Sequence, residues 1–320
     1  MSRSSKIWLI TATALMLIGA IIFSGVMTML NWDFKKLSTI KYETNEHEIT
    51  DDYDSISISG STVDIKILPS NNSSTKVICF EPEDDNYDVS VSGGTLSINA
   101  NEIKWYKHIG IDFNTPTVTV YVPKDKCPSL SIKLSTGKTD VSRELRFNSV
   151  SITASTGDVT LGASVDNSVT VKTSTGDILL SNMSASSINL SASTGRISLS
   201  SVNCSGNITT KVSTGKTNIA NVKCANLISN GSTGDLNMTN VIASSSFNIK
   251  RSTGDVEFSA CDAAEIKITT DTGRVKGSLL TSKVFYVRSD TGKTEYPHST
   301  TGGLCEITTD TGNIKITVLN

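Results

Sequence analysis

One dipeptide constrains this chain more than any other feature. A Thr-Gly pair recurs with its glycine at Gly137, Gly157, Gly176, Gly195, Gly215, Gly234, Gly254, Gly273, Gly292 and Gly312, always 19 or 20 residues apart. Ser precedes the Thr in the first seven copies, and Asp271, Asp290 and Asp310 precede it in the last three. Apolar and polar residues alternate on both sides. Val150 and Ile152, Val169 and Val171, and Phe247 and Ile249 lie before their corners; Val159 and Leu161, Ile178 and Leu180, and Ile314 and Ile316 lie after theirs. Alternation of this kind marks a strand with one buried face. Each repeat therefore reads as strand, tight corner, strand and a shorter third side. That side carries Met183, Val202, Val222, Val241 or Leu280. Glycine supplies the positive φ that such a corner requires. The Ser or Asp two residues earlier is suited to accept a hydrogen bond from the turn.

A single unit of this size cannot bury its apolar face. Stacking coil on coil makes a continuous core, with each coil pairing in parallel with its neighbour. The expectation is an all-β, single-stranded parallel β-solenoid of about ten coils over residues 131–320. At ~4.8 Å per coil it would be on the order of 48 Å long. The crossover rule for parallel strands makes right-handed winding the default. The period is too short for propeller blades, and the chain lacks the Leu/Asn consensus of leucine-rich repeats. Ser and Thr together make up 87 of the 320 residues, the hydroxyl content expected of long solvent-facing strand surfaces.

The other end of the chain is of a different kind. Residues 7–32 contain no charge, with Trp8 and Trp32 at the two limits of the run. A helix of 26 residues spans roughly 39 Å, enough for a hydrocarbon core of ~30 Å with some tilt. The tryptophans fall where interfacial aromatic residues belong. The run is about twice the length of a signal-peptide core and no small-x-small cleavage site closes it. It reads as an uncleaved transmembrane helix with a six-residue cytoplasmic tail (1–6), the remainder lying outside the membrane. Residues 33–45 form a polar connector, and 46–130 a less regular β region with a cap. Within it Ile56-Ser57-Ile58, Gly60 and Val63 to Ile67 look like an early coil. Val89, Val91, Leu96 and Ile98 suggest a hairpin about Gly93-Gly94. The aromatic stretch 101–116, with Trp105, Tyr106 and Phe113, is a candidate cap or binding patch. The last coil ends at Asn320 with nothing left to cover it, so it is expected to be an open edge.

These features resemble the DUF4097 family, described as adhesins and related to the head domains called GIN. The matching elements are Ile56-Ser57-Ile58-Ser59-Gly60 with its following strand, the strand end Val120-Tyr121-Val122-Pro123, and Ser-Thr-Gly-Asp-Val/Ile at 155–159 and 174–178. The resemblance spans residues 46–320. It implies a right-handed β-solenoid, often in a bacterial envelope protein, and carries over no ligand or site residue.

Few residues invite chemistry. A formal net charge of −2 gives no electrostatic footprint for nucleic acid. His47, His108 and His298 are far apart, and no Cys-x-x-Cys occurs. No metal, cofactor or catalytic site is expected. The residue after each corner glycine reads Lys138, Asp158, Asp177, Arg196, Lys216, Asp235, Asp255, Arg274, Lys293 and Asn313, a ladder in which basic residues flank paired acids. Charge compensation is one reading of it; a divalent cation between Asp158 and Asp177, or between Asp235 and Asp255, is the other. Cys204 and Cys224 should stack on adjacent coils, as buried thiols in preference to a disulfide. The functional expectation is a single-pass protein of a bacterial cell membrane whose extracytoplasmic solenoid is non-enzymatic. It would act as an adhesin-like display or binding module for a surface glycan or protein. Envelope-stress sensing is one alternative. Self-association through the uncapped C-terminal coil, giving an end-to-end scaffold, is another.

Overall fold

The computed structural model describes residues 2–100 and 114–319. The stretch 101–113, with His108 and the three aromatic residues of the candidate cap, lies outside the described residues.

The apolar run forms one helix, Arg3–Met29, with a mean hydropathy of 2.3 over its most apolar window, long and apolar enough to cross a membrane. It begins before Ile7 because the Ser2 hydroxyl accepts from the Ser5 N–H at 3.2 Å and caps the first turn. It ends before Trp32 because Asn31 and Trp32 take left-handed φ values of 55° and 58°. Trp32 then turns back to meet Phe23 edge-on, with ring centroids 6.4 Å apart. Thr11, Thr13 and Thr28 donate to the carbonyls four residues earlier, so these hydroxyls are satisfied within the helix. That is the requirement a hydrocarbon environment imposes. A short 3-10 turn, Phe34–Leu37, follows, and the strand Tyr42–Ile49 takes up the last residues of the polar connector.

Beyond it the chain is a parallel β-solenoid. The first strands of successive coils pair in register, as in Val150↔Val169, Val169↔Ile188 and Ile188↔Ile208. The second strands do likewise, as in Val159↔Ile178 and Ile178↔Ile197. Identical strand phases stack the inward side chains in columns, most of them apolar, with polar members such as Thr210, Thr217 and Ser229. From Leu130 through Val150 to Phe247 and Ile266, every member of the first column is buried. On the third side Met183, Val202, Val222 and Val241 are buried as the pattern required. Leu280 departs from it: it is 42% exposed, and Leu279 occupies the inward position, paired with Cys261. The strand before it carries an extra residue, Ala260, at φ 50°, and Val275–Leu279 has no counterpart, so inward positions fall one residue earlier.

The order of layers differs from the order of coils along the chain. Leu304–Thr311 pairs on one side with residues 266–272 and on the other with Val284–Thr291. Likewise Ile314–Val318 lies between Val275–Leu279 and Thr294–Glu295. The final coil is thus an interior layer, and the coil before it in sequence is the end of the stack. This corrects the expectation of an uncapped coil at Asn320: the last coil is covered, and the open edge belongs to Val284–Thr291. The corner glycines report the same exchange. Gly273 N–H donates to Thr311 O, and Gly312 N–H to Thr291 O, at 2.9 and 3.0 Å. A buried ion pair holds the segment leading to the end layer. Lys283 Nζ lies 2.6 Å from Asp262 Oδ1 and also donates to Thr281 Oγ1.

The opposite end shows the same interleaving. Ser55–Thr62 lies between Thr95–Asn99 and Ser129–Thr136, and Asp64–Ser70 between Thr117–Pro123 and Thr139–Val141. Antiparallel strands extend that end. Asp88–Ser92 pairs with Thr95–Asn99 through the hairpin at Gly93-Gly94, Thr75–Pro82 with Thr117–Pro123, and Tyr42–Ile49 with Thr75–Pro82.

Candidate binding surfaces

The corner ladder is the most regular surface of the molecule. Nine of its ten glycines have φ between 126° and 158°, Gly273 alone falling outside the left-handed range. Each Thr before a corner glycine pairs with the Thr of the next layer, in one file from Thr136 to Thr272 and on through Thr311 to Thr291. The corner's side-chain acceptor is the residue after glycine, not the Ser or Asp before it. Asp158 Oδ1 accepts from Asp177 N–H at 2.9 Å and Asp177 Oδ1 from Arg196 N–H at 2.7 Å; Asp64, which follows Val63 at the equivalent place in the first coil, accepts from Lys138 N–H at 2.8 Å. Asp235, Asp255 and Asn313 do the same for Asp255, Arg274 and Lys293. These acids therefore face backbone donors of the neighbouring layer, and the basic residues close the charge balance. Arg196 pairs with Asp177, Lys216 with Asp235 and Arg274 with Asp255. Burial pushes the Asp255 carboxyl up, but the Arg274 side chain and backbone outweigh it and leave Asp255 below the ordinary carboxylate value. Among the described residues no group of three or more His, Cys, Asp or Glu is arranged to hold a metal.

A second corner was not read from the pattern. Asn182, Ser201, Asn221, Asn240 and Ala260 stack there at φ values between 50° and 56°. Asn240 Nδ2 donates to Asn221 Oδ1 at 2.9 Å. A third amide file stacks Asn148 with Asn167, and Asn207 with Asn226, at 2.7 and 2.8 Å.

The thiols are free. Cys204 and Cys224 are buried on adjacent layers, and burial raises both, Cys224 to about 12. Such thiols pack as small apolar side chains and are unreactive. Only Cys127 is exposed. Trp8 and Trp32 are both exposed on the helix and its exit.

One interior residue stands apart. Arg251 is 1% exposed and sits in an inward column, with Nη2 donating to Ser229 Oγ at 2.9 Å and Nη1 to the Lys250 carbonyl at 3.1 Å. Its Nε has no partner, and burial lowers the guanidinium to about 10 despite Asp235. Gly231, in the layer below, leaves the space, since a Cβ there would lie 2.6 Å from Nη1. Ser229 keeps a second hydroxyl partner, Thr210, at 2.8 Å. Replacing Arg251 by Met removes a buried cation without stranding Ser229. The expected result is a gain of about 1–4 kcal/mol, read as a higher urea midpoint.

Several concavities interrupt the outer surface among the described residues. A groove of about 350 Å³ on the second-strand face is lined by Asn237, Thr239, Glu257, Lys276 and Ser278, with Gly277 and Phe258 at its floor. At the open end a cavity of about 500 Å³ is bounded by Phe285, Tyr296 and His298. The Tyr296 and His298 rings lie 5.5 Å apart there.

The class defined by these features is a parallel β-solenoid with an apolar N-terminal helix and hydroxyl- and amide-rich outer files. The chain belongs to the DUF4097 Toastrack family, matched over residues 53–212 and 203–320. A solved structure described as a "putative lipid binding protein", from Parabacteroides distasonis, aligns with a TM-score of 0.51 at 16% identity, over 88% of this chain and 98% of that one. A "putative adhesin" from the same organism aligns with a TM-score of 0.51 at 13% identity, over 87% and 98%. At such identities the likeness is one of fold. No curated protein matches the chain.

Proposed function

We propose that this chain is a membrane-anchored, non-enzymatic display module, in which the N-terminal helix holds the solenoid outside the membrane to make adhesin-like contacts. The observation that carries this reading is the division of the solenoid into apolar inward files and polar outward ones. Outward strand positions are dominated by Ser, Thr, Asn and Lys, suited to many weak polar contacts along a rigid surface. Acids of the corner ladder are engaged by backbone N–H groups, which favours a structural role over acid–base work. The description of one solved relative as an adhesin accords with this, and that of another as lipid-binding accords with work at a membrane.

Protease treatment of intact cells, followed by mass spectrometry, tests the reading. Peptides from residues 130–320 should be released without lysis, after removal of any outer barrier. Continued protection of these peptides once the wall is removed would place the solenoid inside and overturn the proposal. The open strand Val284–Thr291, with Val284 and Tyr286 exposed, favours end-to-end association as a second reading. Sedimentation of the detergent-solubilised chain separates the two, because a monomer leaves only the first.

A further inference from the structure

The face built from the first strand of each coil carries a charge pattern that the corner ladder does not. Lys133, Lys172, Lys211 and Lys250 are spaced 39 residues apart, two turns of the solenoid each time. The register stacks them in a single outward file, separated by Thr153, Ser191 and Asn230. Lysine therefore alternates with a small polar residue on every layer, and the ammonium groups recur at ~9.6 Å, twice the strand spacing of ~4.8 Å. All four are exposed. Among the described residues none of them meets a carboxylate within 4.0 Å, whereas Lys216, Arg274 and Lys315 elsewhere are each paired. The outward file beside them, from Ser131 to Asn248, contains no acid. Charge compensation accounts for Arg196, Lys216 and Arg274 at the corners and leaves this file unexplained.

We propose that this face binds an extended anionic polysaccharide in which an acidic sugar alternates with a neutral one. This rests on the display reading above and names its ligand class. Each lysine would meet one carboxylate. Thr153, Ser191 and Asn230 would meet the hydroxyls of the intervening neutral sugars. A single exposed ion pair contributes only ~0–1 kcal/mol. Four on one rigid axis act together, because the first contact raises the effective concentration of the rest, and the sheet holds the spacing in advance. A polymer charged on every sugar would set half its carboxylates against uncharged side chains. An anionic bilayer presents no fixed repeat to match.

The test uses the full chain in neutral detergent micelles and fluorescent hyaluronan, which carries one carboxylate per disaccharide. Binding is expected, weakening as salt rises. The combined variant Lys133→Ser, Lys172→Ser, Lys211→Ser and Lys250→Ser should lose at least about tenfold in affinity. The combined variant Lys138→Ser, Lys216→Ser and Lys293→Ser, at the corner, should bind as the parent does. Absence of binding, an equal loss in both variants, or a preference for phosphatidylglycerol vesicles over hyaluronan would overturn the proposal. If peptides are still released from intact cells while hyaluronan fails to bind, this inference falls and the display reading stands. If they remain protected, the display reading itself falls.

Discussion

Substituting Gly176 by alanine is expected to break the solenoid near its middle. The residue sits at φ 142°, and a Cβ built there would overlap the Gly157 carbonyl oxygen and lie 2.6 Å from its carbon. Both obstacles are backbone, and Gly157 is itself pinned, its N–H donating to Thr175 O at 2.9 Å. Neither side can move without opening the corner ladder. Backbone strain of ~1–3 kcal/mol and overpacking of a similar size together cost about 2–6 kcal/mol. In a solenoid each layer touches only its neighbours, so a defect at one interface uncouples the halves. Urea unfolding of Gly176→Ala should show a lower midpoint and two separable transitions, while Ser174→Ala, at an exposed position two residues away, should unfold within ~0.5 kcal/mol of the parent. A single unchanged transition in Gly176→Ala would mean that the corner glycines are not the joints of the stack.

What the sequence made legible here follows from local rules. Alternation fixes which side chains of 150–161 or 169–180 face inward, and a corner that excludes Cβ selects glycine, so coil, corner and core column could all be read. The left-handed second corner was legible in principle. Asn182, Asn221 and Asn240 each lie eight residues after the Ser of their repeat, and asparagine tolerates αL better than most residues. That Asp158 and Asp177, and not the Ser two residues before the glycine, accept the corner hydrogen bonds was missed for a different reason. The N–H that each carboxylate accepts belongs to the next layer, and a one-dimensional pattern does not reveal which backbone donors the corner leaves unpaired. The Lys133–Lys250 file escaped because its period is two coils, and it emerges only once the register is known. Leu280 was displaced by one residue because the residue opposite, Ala260, bulges, and no alternation records an insertion in a partner strand.

The order of the last layers was beyond any periodic reading, since every coil carries the same signal wherever it stacks, and it makes the second large prediction. Deleting residues 304–320 should cost far more than trimming an end. The deleted strands cover Ile266, Ile268 and Val275 and are the partners of Val284–Thr291 and Thr294–Glu295. Three buried isoleucines, Ile307, Ile314 and Ile316, leave with them, along with the buried Cys305 and Thr309; each isoleucine contributes about 1.5–3 kcal/mol if fully buried. Hydrogen exchange should then show residues 284–295 unprotected and residues 266–279 weakened. Had the coils stacked in chain order, the same deletion would leave 284–295 paired with 266–279 and protected. Carbodiimide coupling of the intact chain supplies a check that needs no deletion. Lys267 Nζ and Glu306 Oε2 are 3.0 Å apart across the exchanged interface, close enough for a direct amide. In chain order they would stand two layers, ~9.6 Å, apart. Recovery of the Lys267–Glu306 linked peptide establishes the interleaved end, and its absence alongside a recovered Lys315–Glu295 link, which both orders permit, would refute it.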